Sequence, residues 1–436
     1  MHYHTYHIIT IGCQMNKADS ERIASYLNSK RITSEEQKTA DLVVINTCGV
    51  RQKAEDRIYG LVEQIRKDNP SSDIVITGCL AKREDVIKRL KERVKLFMPI
   101  NELPKLIESL SNKTDGKSLD DLRENQGEKY LEIEPDYGNN FSAYIPIGNG
   151  CNNFCSYCVV PYARGREVYR DFDKIINEVK KLVSLGYKEI NLIAQNVNSY
   201  KSNDKDFADL ILEIDKIPGD FWLRFSSSHP KDMKDKLINA MGECSKLVNH
   251  LHIAVQSGDD EILKKMNRNY TVEKFKQLIS KIKEEKPGIA ISTDLIVGFP
   301  SEDKKAFENS KKLFEEIRFD FAYTSMYSPR YGTAAYRLKD DVSDQVKKKR
   351  ENEILEILKI TALEKNNQYL NKTVKVLVEG KNRSSKYFGK TSTYKNVCFD
   401  YPKNNLVGSF VKVKINKSQD FGSEGDYIST YKHEER

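Results

Sequence analysis

Three cysteines lie close together near the middle of the chain, where they could bind a metal centre. These loop cysteines, Cys151, Cys155 and Cys158, form the pattern CxxxCxxC. Thiolates are soft ligands that suit iron–sulfur clusters or zinc. A structural zinc site takes four protein ligands, and no fourth Cys or His lies nearby in this sequence. The pattern therefore favours a four-iron cluster with one iron open to a substrate, and zinc is the alternative.

A second set of three cysteines is dispersed along the N-terminal part of the chain. These strand-end cysteines, Cys13, Cys48 and Cys79, each follow a short apolar run: IITIGC, VVINTC and VITGC. If the runs are neighbouring parallel strands, their carboxyl ends open into one crevice where the thiols can converge. We interpret the set as a second metal centre, and three buried small side chains are the alternative. Cys244 and Cys398 have no such partners, and we assign them to packing.

The segments that would position the strand-end cysteines alternate between two patterns. β-Rich runs alternate with helical periodicity, at residues 6–11, 41–45 and 73–77 for the strands and 19–27 and 54–67 for the helices. Alternating strands and helices predict a parallel sheet, so we expect an N-terminal parallel α/β domain at residues 1–118. Polar residues predominate after it, and we interpret residues 119–136 as a linker.

A second series of strand–helix repeats positions the loop cysteines. It occupies residues 137–369, with strand candidates at 142–147, 189–193, 222–226, 250–255, 290–297 and 319–326. Six such units fit an open, partial (βα)6 barrel better than a closed barrel of eight. Active sites of these barrels lie at the carboxyl ends of the strands. The loop cysteines directly follow the first of the six strands, so they stand where catalysis is expected.

The C-terminal region is predicted to be a small basic module. Residues 370–436 contain short alternating runs with Gly and Asn turns, which predict a small β-barrel. Residues 372–436 hold 13 Lys and Arg against 7 Asp and Glu, and they carry most of the chain's net charge of +8. A basic module beside a nearly neutral body suggests RNA as its partner. A solvated, lysine-rich surface is the alternative.

Taken together, these motifs resemble the radical S-adenosylmethionine (SAM) methylthiotransferases, and among them the MiaB-type branch that acts on tRNA. The similarity runs over nearly the whole chain. Besides the CxxxCxxC pattern, it rests on the segments 12–21, 46–51, 78–79, 158–167, 195–200, 251–258 and 294–300. The C-terminal module is similar to the TRAM domain, an RNA-binding barrel of this family.

The resemblance implies two [4Fe-4S] clusters and SAM as cofactors. The loop cysteines would hold the cluster that cleaves SAM, and they are the predicted catalytic residues. The strand-end cysteines would hold a second cluster that presents the sulfur to be inserted. One SAM would methylate that sulfur, and another would yield the 5′-deoxyadenosyl radical that removes a hydrogen from the substrate. Both clusters must face one cavity, so we expect the N-terminal domain to pack over the barrel mouth.

Polar residues at the ends of the second, third and fourth barrel strands are the candidates for SAM contacts. Ligands bind at this face of such a barrel, and the candidates there are Gln195, Asn196, Arg224, Ser226, Gln256 and Ser257. Loop capping is the alternative for each of them. Arg164, Arg166 and Arg170 follow the loop cysteines and could bind phosphate or the SAM carboxylate, with a solvated face as the alternative.

The resemblance implies a tRNA substrate, recognised at its anticodon stem-loop. N6-dimethylallyladenosine at position 37 would become its 2-methylthio derivative, with a reducing electron donor and a sulfur donor as further partners. Gln14-Met15-Asn16, which follows the first cysteine, is similar to the sequence that the branch with this substrate carries there. Sister branches that modify threonylcarbamoyl-adenosine, or an aspartate of a ribosomal protein, usually carry Lys-Val-Asn or Pro-Lys-Asn there. A non-catalytic RNA-binding protein with structural metal sites is a further alternative.

Composition and hydropathy exclude other classes of protein. Hydrophobic residues make up 39% of the 436 residues and charged residues 31%, as in ordinary globular proteins. No run approaches the roughly 18 apolar residues of a membrane span, so we expect no membrane association. The first residues lack the pattern of a secretory signal, and eight cysteines suggest metal ligands more than disulfides. We therefore expect a cytoplasmic protein, and the fold is compatible with a monomer.

Overall fold

The structure is a computed structural model, and it describes residues 3–50, 52–111, 126–402 and 405–431. The chain forms three units in sequence order: a parallel α/β domain, an open barrel of parallel strands, and a closed five-stranded β-barrel. This confirms the fold class predicted from the sequence. Within the described ranges, no helix is long and apolar enough to span a membrane.

The N-terminal domain is built on one parallel sheet with the spatial order β2-β1-β3-β4-β5. Its strands are β1 (Thr5–Thr10), β2 (Thr33–Ser34), β3 (Leu42–Thr47), β4 (Asp73–Gly78) and β5 (Leu96–Phe97). Its helices are α1 (Gln14–Ser29), α2 (Gln52–Asp68), α3 (Glu84–Leu90), a 3-10 helix (Ile100–Lys105) and α4 (Leu106–Ser111). All six side chains of β3 are buried, because helices cover both faces of the sheet.

The pairing register brings the strand-end cysteines to one edge of this sheet. Thr10 lies opposite Asn46, and Asn46 lies opposite Thr77. The strands therefore end at nearly the same level. Cys48 and Cys79 directly follow β3 and β4, and Cys13 comes three residues after β1, at the edge where parallel strands open into one crevice. The predicted convergence follows from this register.

The predicted linker at residues 119–136 is partly helical, which corrects its interpretation. Helix α5 (Gln126–Leu131) places Tyr130 and Leu131 in the core of the N-terminal domain, against Leu106 and Leu110. The two apolar side chains are surrounded by polar residues in the sequence, so a search for periodicity does not detect them. Residues 119–125 lie outside the described residues.

The central unit is an open barrel of six parallel strands. Two three-stranded sheets, β12-β9-β6 and β13-β14-β15, are joined by bridges between β12 and the segment at β13. In chain order the strands are β6 (Ser142–Pro146), β7 (Gly148–Asn149), β8 (Val168–Tyr169), β9 (Glu189–Ile193), β10 (Lys201–Ser202), β11 (Lys205–Asp206), β12 (Trp222–Phe225), β13 (His250–His252), β14 (Ala290–Val297) and β15 (Phe321–Met326). The pairs β7–β8 and β10–β11 are short antiparallel additions outside the barrel.

Helices cover the outer face of this barrel. The exception is α6 (Val160–Arg164), which follows the loop cysteines and contacts the N-terminal domain. The others are α7 (Phe172–Ser184), α8 (Phe207–Asp215), α9 (Asp235–Glu243), α10 (Asp260–Lys265), α11 (Val272–Glu285), α12 (Lys304–Ile317) and α13 (Asp344–Asn367). Apolar strand residues such as Ile190 and Leu223 pack against them in the largest hydrophobic core. Successive strand residues point to opposite faces, so polar neighbours such as Asn191 and Arg224 face the interior.

The C-terminal module is a closed barrel with the order β16-β17-β18-β20-β19. Its strands are β16 (Thr373–Lys381), β17 (Tyr387–Thr391), β18 (Asn396–Asp400), β19 (Phe410–Gln419) and β20 (Gly422–Thr430). Strand β20 was not predicted from the sequence, because its two glycines and acidic residues interrupt the apolar alternation. Trp222 of the central barrel packs on Phe410 of this module with ring centroids 4.8 Å apart, beside Leu377 and Val248.

Candidate active site

The loop cysteines lie in a tightly closed loop after the first barrel strand. The backbone N–H of Cys158 donates to the Cys155 carbonyl at 2.9 Å. Gly150 has a φ of +84°, and a Cβ there would lie 2.1 Å from the Arg166 carbonyl oxygen, so only glycine fits. The Gly150 N–H donates to the Gln195 side chain at 2.6 Å. The loop is therefore fixed both by its own backbone and by a predicted ligand residue.

Burial disfavours the free thiolate form of two of the loop cysteines. Burial raises the pKa of Cys151 to about 11. Burial and the neighbouring Cys155 raise the pKa of Cys158 to about 12. Both thiols are therefore protonated at neutral pH unless a bound cation stabilises the thiolate form. Neither thiol is therefore activated as a free nucleophile.

Arg268 is a candidate functional residue that was not predicted from the sequence. Its Nη1 donates to the Cys155 sulfur at 3.6 Å, and its Nε donates to the Tyr270 hydroxyl at 2.9 Å. A further hydrogen bond to the Ala254 carbonyl holds the guanidinium in place. A buried cation beside a ligand thiolate stabilises the negative charge that the sulfur carries. Arg268 is 113 residues away from Cys155 in the chain, so no local pattern could identify it.

The strand-end cysteines converge as their positions in the sequence predict. A Cβ added to Gly12, next to Cys13, would lie 3.0 Å from the Cys48 Cβ. A Cβ added to Gly49 would lie 3.3 Å from the Cys79 Cβ. Cys48 and Cys79 are buried, whereas Cys13 is exposed. The backbone beside Cys13 thus lies close to Cys48, and the backbone beside Cys48 lies close to Cys79, and glycine at both positions permits this approach.

A buried asparagine pair holds Cys13 against the next strand. The Asn16 side-chain nitrogen donates to the Asn46 side-chain oxygen at 2.8 Å and to the Thr47 carbonyl at 3.0 Å. The Asn46 side chain donates back to the Asn16 carbonyl at 2.8 Å. The Asn16 side-chain oxygen accepts from the Cys13 N–H at 3.3 Å. Asn16 therefore positions the cysteine at the start of α1, whereas the sequence analysis used it only as a marker of the branch.

A buried ion pair joins the two cysteine sets. Asp19 of α1 and Arg164 of α6 are 2.6 Å apart, with side chains 0% and 2% exposed. The Arg164 Nη1 also donates to the Asn149 side chain at 2.9 Å, and the Tyr130 hydroxyl donates to Asp19. Each partner stands six residues after a cysteine, Asp19 after Cys13 and Arg164 after Cys158. The prediction that Arg164 binds phosphate or the SAM carboxylate is therefore wrong, because Asp19 and Asn149 occupy its guanidinium.

Further contacts bring the N-terminal domain over the barrel mouth. Arg330, which follows β15, donates to the Val50 carbonyl at 3.0 Å and to the Gln52 side chain at 2.6 Å. Val159, next to Cys158, would lie 3.4 Å from a Cβ at Gly49. These contacts place the N-terminal domain over the barrel mouth, beside the loop that carries Cys158.

Two of the strand-end loops at the mouth have a strained backbone. Gln256 has a φ of +70° and Ser227 a φ of +69°, in the left-handed region that residues other than glycine rarely adopt. The Gln256 N–H donates to the Asp294 carbonyl at 2.8 Å, which helps to hold this conformation. Such strain concentrates at ligand sites, because the surrounding structure must maintain it. Gln256 was a predicted contact, whereas Ser227 was not.

Three further candidate contacts also lie at the mouth, in different surroundings. The Asn196 nitrogen donates to Asp232 at 2.7 Å, while its buried oxygen has no hydrogen-bond partner among the described residues. Ser226 donates to Gln14 of the N-terminal domain at 3.2 Å. The Ser257 hydroxyl accepts from the Asp259 N–H at 3.2 Å, which is a local turn. Asn196 is thus the one of these three with an unused buried acceptor.

Arg224 lies in different surroundings from the other candidate SAM contacts. Its guanidinium donates to Glu189, and its Nη2 donates to the Thr391 carbonyl of the C-terminal module at 3.1 Å. The Tyr394 ring lies 5.1 Å from its guanidinium carbon. Burial acts to raise the pKa of Glu189, but Arg224 and neighbouring hydrogen bonds hold it below its ordinary value. The structure therefore places Arg224 at the junction of the two barrels.

The two thiol sets differ from a site for a single metal ion. Among the described residues, no three His, Cys, Asp or Glu side chains are gathered closely enough to hold one ion. An iron–sulfur cluster has a different requirement, because each thiolate binds a different iron and the ligands stand farther apart. Three thiols per set, held near one another by glycine-lined backbone, fit this kind of group.

Three regions of the chain match known protein families. Residues 5–98 match the Uncharacterized protein family UPF0004, residues 145–314 match the Radical SAM superfamily, and residues 367–428 match the TRAM domain. These regions correspond to the three structural units.

Curated relatives match the chain over nearly its full length. A tRNA-2-methylthio-N(6)-dimethylallyladenosine synthase of Clostridium botulinum (strain Langeland / NCTC 10281 / Type F) is 41% identical over 434 residues, covering 97% of this chain and 96% of that protein. A protein of the same name from Carboxydothermus hydrogenoformans is 40% identical over 436 residues, covering 97% of this chain and 98% of that protein.

Solved structures with low sequence identity share the fold. The radical S-adenosylmethionine methyltransferase TsrM from Kitasatospora setae aligns with a TM-score of 0.56 at 14% identity, covering 74% of this chain and 75% of that one. The cobalamin-dependent S-adenosylmethionine radical enzyme OxsB aligns with a TM-score of 0.52 at 13% identity, covering 80% of this chain and 56% of that one. At these identities the likeness concerns the fold alone.

Proposed function

We infer the function from one premise: the chain belongs to the family of tRNA-2-methylthio-N(6)-dimethylallyladenosine synthases, and it carries the radical SAM domain of that family. It is a tRNA methylthiotransferase that converts N6-dimethylallyladenosine at position 37 to the 2-methylthio derivative. The observation that carries this proposal is the convergence of two separate three-thiol sets at one barrel mouth. An inserted sulfur and a radical source must both reach one carbon, and this arrangement allows it.

The loop cysteines would hold the [4Fe-4S] cluster of the radical SAM domain, and SAM would bind beside it. When bound, this pair supplies a radical that can remove hydrogen from an aromatic carbon with no useful acidity. The protein would position the cluster and SAM and exclude water from them. Gln195, Asn196 and Gln256 are the proposed SAM contacts, because they lie at the mouth next to the cluster loop or on strained strand ends. Arg268 would stabilise the thiolate of Cys155.

The strand-end cysteines would hold the second [4Fe-4S] cluster. Support comes from their common register, from the Asn16–Asn46 pair and from the ion pair that connects them to the loop cysteines. Two three-ligand sets also argue against purely structural metal sites, since those normally have four protein ligands. A reducing electron donor and a sulfur donor are the partners that this chemistry requires.

The C-terminal TRAM module would bind the anticodon stem-loop. Lys412 and Lys414 are exposed on one face of β19, because the alternate residues Val411 and Val413 point into the core. The Lys412 ammonium lies 5.1 Å from the Tyr431 ring centroid, next to Lys375 at 4.9 Å. Lysines beside an exposed aromatic ring suit the backbone and bases of an RNA loop.

The test is nucleoside mass spectrometry of a mixed tRNA pool that contains both isopentenyl- and threonylcarbamoyl-adenosine. The pool is incubated with anaerobically reconstituted protein, SAM and a strong reductant. We expect a methylthio group on the isopentenyl nucleoside only. A methylthio group on the threonylcarbamoyl nucleoside would retain the chemistry and change the substrate. No methylthio group on either, despite SAM cleavage and an added sulfur source, would favour a protein substrate.

A further inference from the structure

A cavity of about 150 Å³ lies between the open edge of the central barrel and the TRAM module. Its walls include Phe321 and Tyr323 of β15, His250 at the start of β13, and Tyr394 and Phe421 of the TRAM module. None of these residues belongs to the cysteine sets or to the candidate SAM contacts. The two units enclose the cavity together, so it exists only because the TRAM module is docked on the barrel.

Aromatic rings from both units form the walls of this cavity. The Phe321 ring lies 4.8 Å from Tyr323 and 6.1 Å from Phe421, both in edge-to-face geometry. Tyr323 is 44% exposed and Phe421 39% exposed, which is high for large apolar side chains at a domain junction. Edge-to-face packing leaves ring faces available to a planar guest. Nucleobases stack on such rings with little dependence on sequence.

The charges around the cavity are balanced. Asp320 accepts from Lys365 at 2.6 Å and from Lys395 at 2.9 Å, so this carboxylate is neutralised by its own partners. Burial acts to raise the pKa of Asp320, but the two lysines hold it below its ordinary value. Lys390 lies over the Tyr394 ring at 3.7 Å. A lining with balanced charge suits an uncharged base better than a phosphate group.

Asn366 supplies a hydrogen-bond acceptor at the cavity wall. Its side-chain nitrogen donates to the Gln419 carbonyl at 2.8 Å and to the Asp420 carbonyl at 3.1 Å, which fixes the carboxamide. Its oxygen is buried and has no hydrogen-bond partner among the described residues. A buried acceptor without a donor is costly. The N–H groups of a nucleobase are donors that could satisfy it.

The cavity is remote from the chemistry at the barrel mouth. Its lining residues stand at the amino ends of β13 and β15, whereas the loop cysteines follow the carboxyl end of β6. Six residues of β15 span roughly 17 Å at about 3.3 Å per residue. Stacked nucleotides are about 3.4 Å apart. A base in this cavity therefore belongs to a different nucleotide from the one that is modified.

We propose that this cavity binds one unpaired nucleobase of the anticodon loop, separate from the adenine that is methylthiolated. The proposal rests on the proposed function, because it takes tRNA as the substrate. The base stacks on Phe421 and Tyr323, and its N–H groups face Asn366. Occupation of the cavity would fix the RNA loop at a second point while the target adenine enters the barrel mouth.

The experiment compares Phe421→Ala with Ile428→Ala, a control that removes an exposed apolar side chain from β20, the strand that follows Phe421, outside the cavity. Binding of a fluorescent anticodon stem-loop to the full chain is measured by anisotropy. We expect Phe421→Ala to raise Kd roughly tenfold, the scale of one lost base–aromatic stack. Phe421→Trp should restore binding, and Ile428→Ala should leave it unchanged. Wild-type affinity in Phe421→Ala would overturn the proposal.

A series of stem-loops with one abasic nucleotide at each loop position identifies the base. We expect one abasic position to weaken wild-type binding and to have no further effect in Phe421→Ala, and the same result for Tyr323→Ala. If every abasic position weakened binding by the same factor in Phe421→Ala as in the wild type, the proposal would be overturned, even if Phe421→Ala itself binds the intact stem-loop more weakly. Failure of the proposed function gives a different result, since wild-type protein would then bind the stem-loop no better than an unrelated hairpin. SAM cleavage without RNA should be equal in all variants.

Discussion

The loop cysteines and the strand-end cysteines each present three thiols, but the chain positions them in different ways. The loop cysteines lie within eight consecutive residues, and the local backbone closes around them. The strand-end cysteines are 35 and 31 residues apart, and three strands, a helix and the Asn16–Asn46 pair bring them together. One site is local, and the other depends on an entire domain.

This difference has a consequence for stability. Distortion of the N-terminal sheet separates the strand-end thiols, while the loop cysteines keep their spacing because it is set over a few residues. Contacts between the N-terminal domain and the barrel, such as the ion pair between Asp19 and Arg164 and the hydrogen bonds of Arg330, can transmit a change from one site to the other. We therefore expect variants to divide the reaction into two parts, SAM cleavage and sulfur insertion.

The largest effect is expected at the loop cysteines. Cys155→Ala removes a proposed cluster ligand that no other described thiol can replace, so SAM cleavage should fall to background and methylthiolation with it. Chromatography of 5′-deoxyadenosine after anaerobic reconstitution measures this directly. The matched control is Cys398→Ala, which removes a thiol that is distant from both sets. Substantial SAM cleavage by Cys155→Ala would contradict the assignment of this cluster.

A selective loss is expected at the strand-end cysteines. Cys48→Ala should abolish methylthiolation while 5′-deoxyadenosine production stays measurable, because the loop cysteines remain intact. Iron content per chain should fall by about half relative to wild type, if each set holds four irons. Methylthiolation at the wild-type rate by this variant would refute the second cluster. Loss of SAM cleavage in parallel would show that the two sites are not independent.

The ion pair between the two sites tests how strongly they are coupled. Arg164→Met leaves the Asp19 carboxylate buried and unpaired, so we expect a loss of about 3–5 kcal/mol of stability. The double variant with Asp19→Asn should regain part of it. We also expect more 5′-deoxyadenosine per methylthio product, since the two thiol sets would be less firmly aligned. Thermal unfolding and product ratios measure both effects.

An exposed pair is the control for that comparison. Lys216→Met removes a surface ion pair with Glu213 at 2.8 Å, and such pairs contribute little. Its unfolding temperature and its product ratio should match the wild type. If Arg164→Met behaved in the same way, the ion pair would have no part in joining the sites.

A smaller effect is expected for lysines on the surface of the TRAM module, because they would bind the tRNA and lie in neither cysteine set. Lys412→Gln with Lys414→Gln should lower the slope of log Kd against log salt by about 1–2, the value for one or two lost phosphate contacts. Lys274→Gln, on an outer helix of the barrel, is the matched control. An unchanged slope would remove this face from the RNA interface. SAM cleavage without RNA should be unaffected.

The smallest effect is expected at a cysteine outside both sets. Cys244 is buried, and burial raises the pKa of its thiol to about 12, so it remains a protonated packing residue. Cys244→Ala should keep full iron content and full methylthiolation, with a small loss of stability. Reduced iron in this variant would show that residue type, rather than position, decides which thiols bind iron.

The same contrast explains what the sequence could predict. The spacing of the loop cysteines is visible in the sequence, and the strand-end cysteines could be inferred because each follows a recognisable strand. Both depend on patterns that persist along the chain. The contacts that fix these cysteines leave no such pattern in the sequence. Arg268 contacts Cys155, and Asp19 pairs with Arg164, across more than 100 residues in each case. Arg224 shows the same limit, since its position on a strand end did not reveal that the TRAM module covers it.

The packing of Trp222 on Phe410 has a consequence for substrate selection. Together with the hydrogen bond from Arg224 to the Thr391 carbonyl, it fixes the RNA-binding module on the catalytic barrel without a flexible tether. The distance between the RNA-binding surface of the TRAM module and the barrel mouth is then fixed. We therefore expect the enzyme to select hairpins by the distance between the nucleotides that the TRAM module binds and the adenine that enters the barrel mouth.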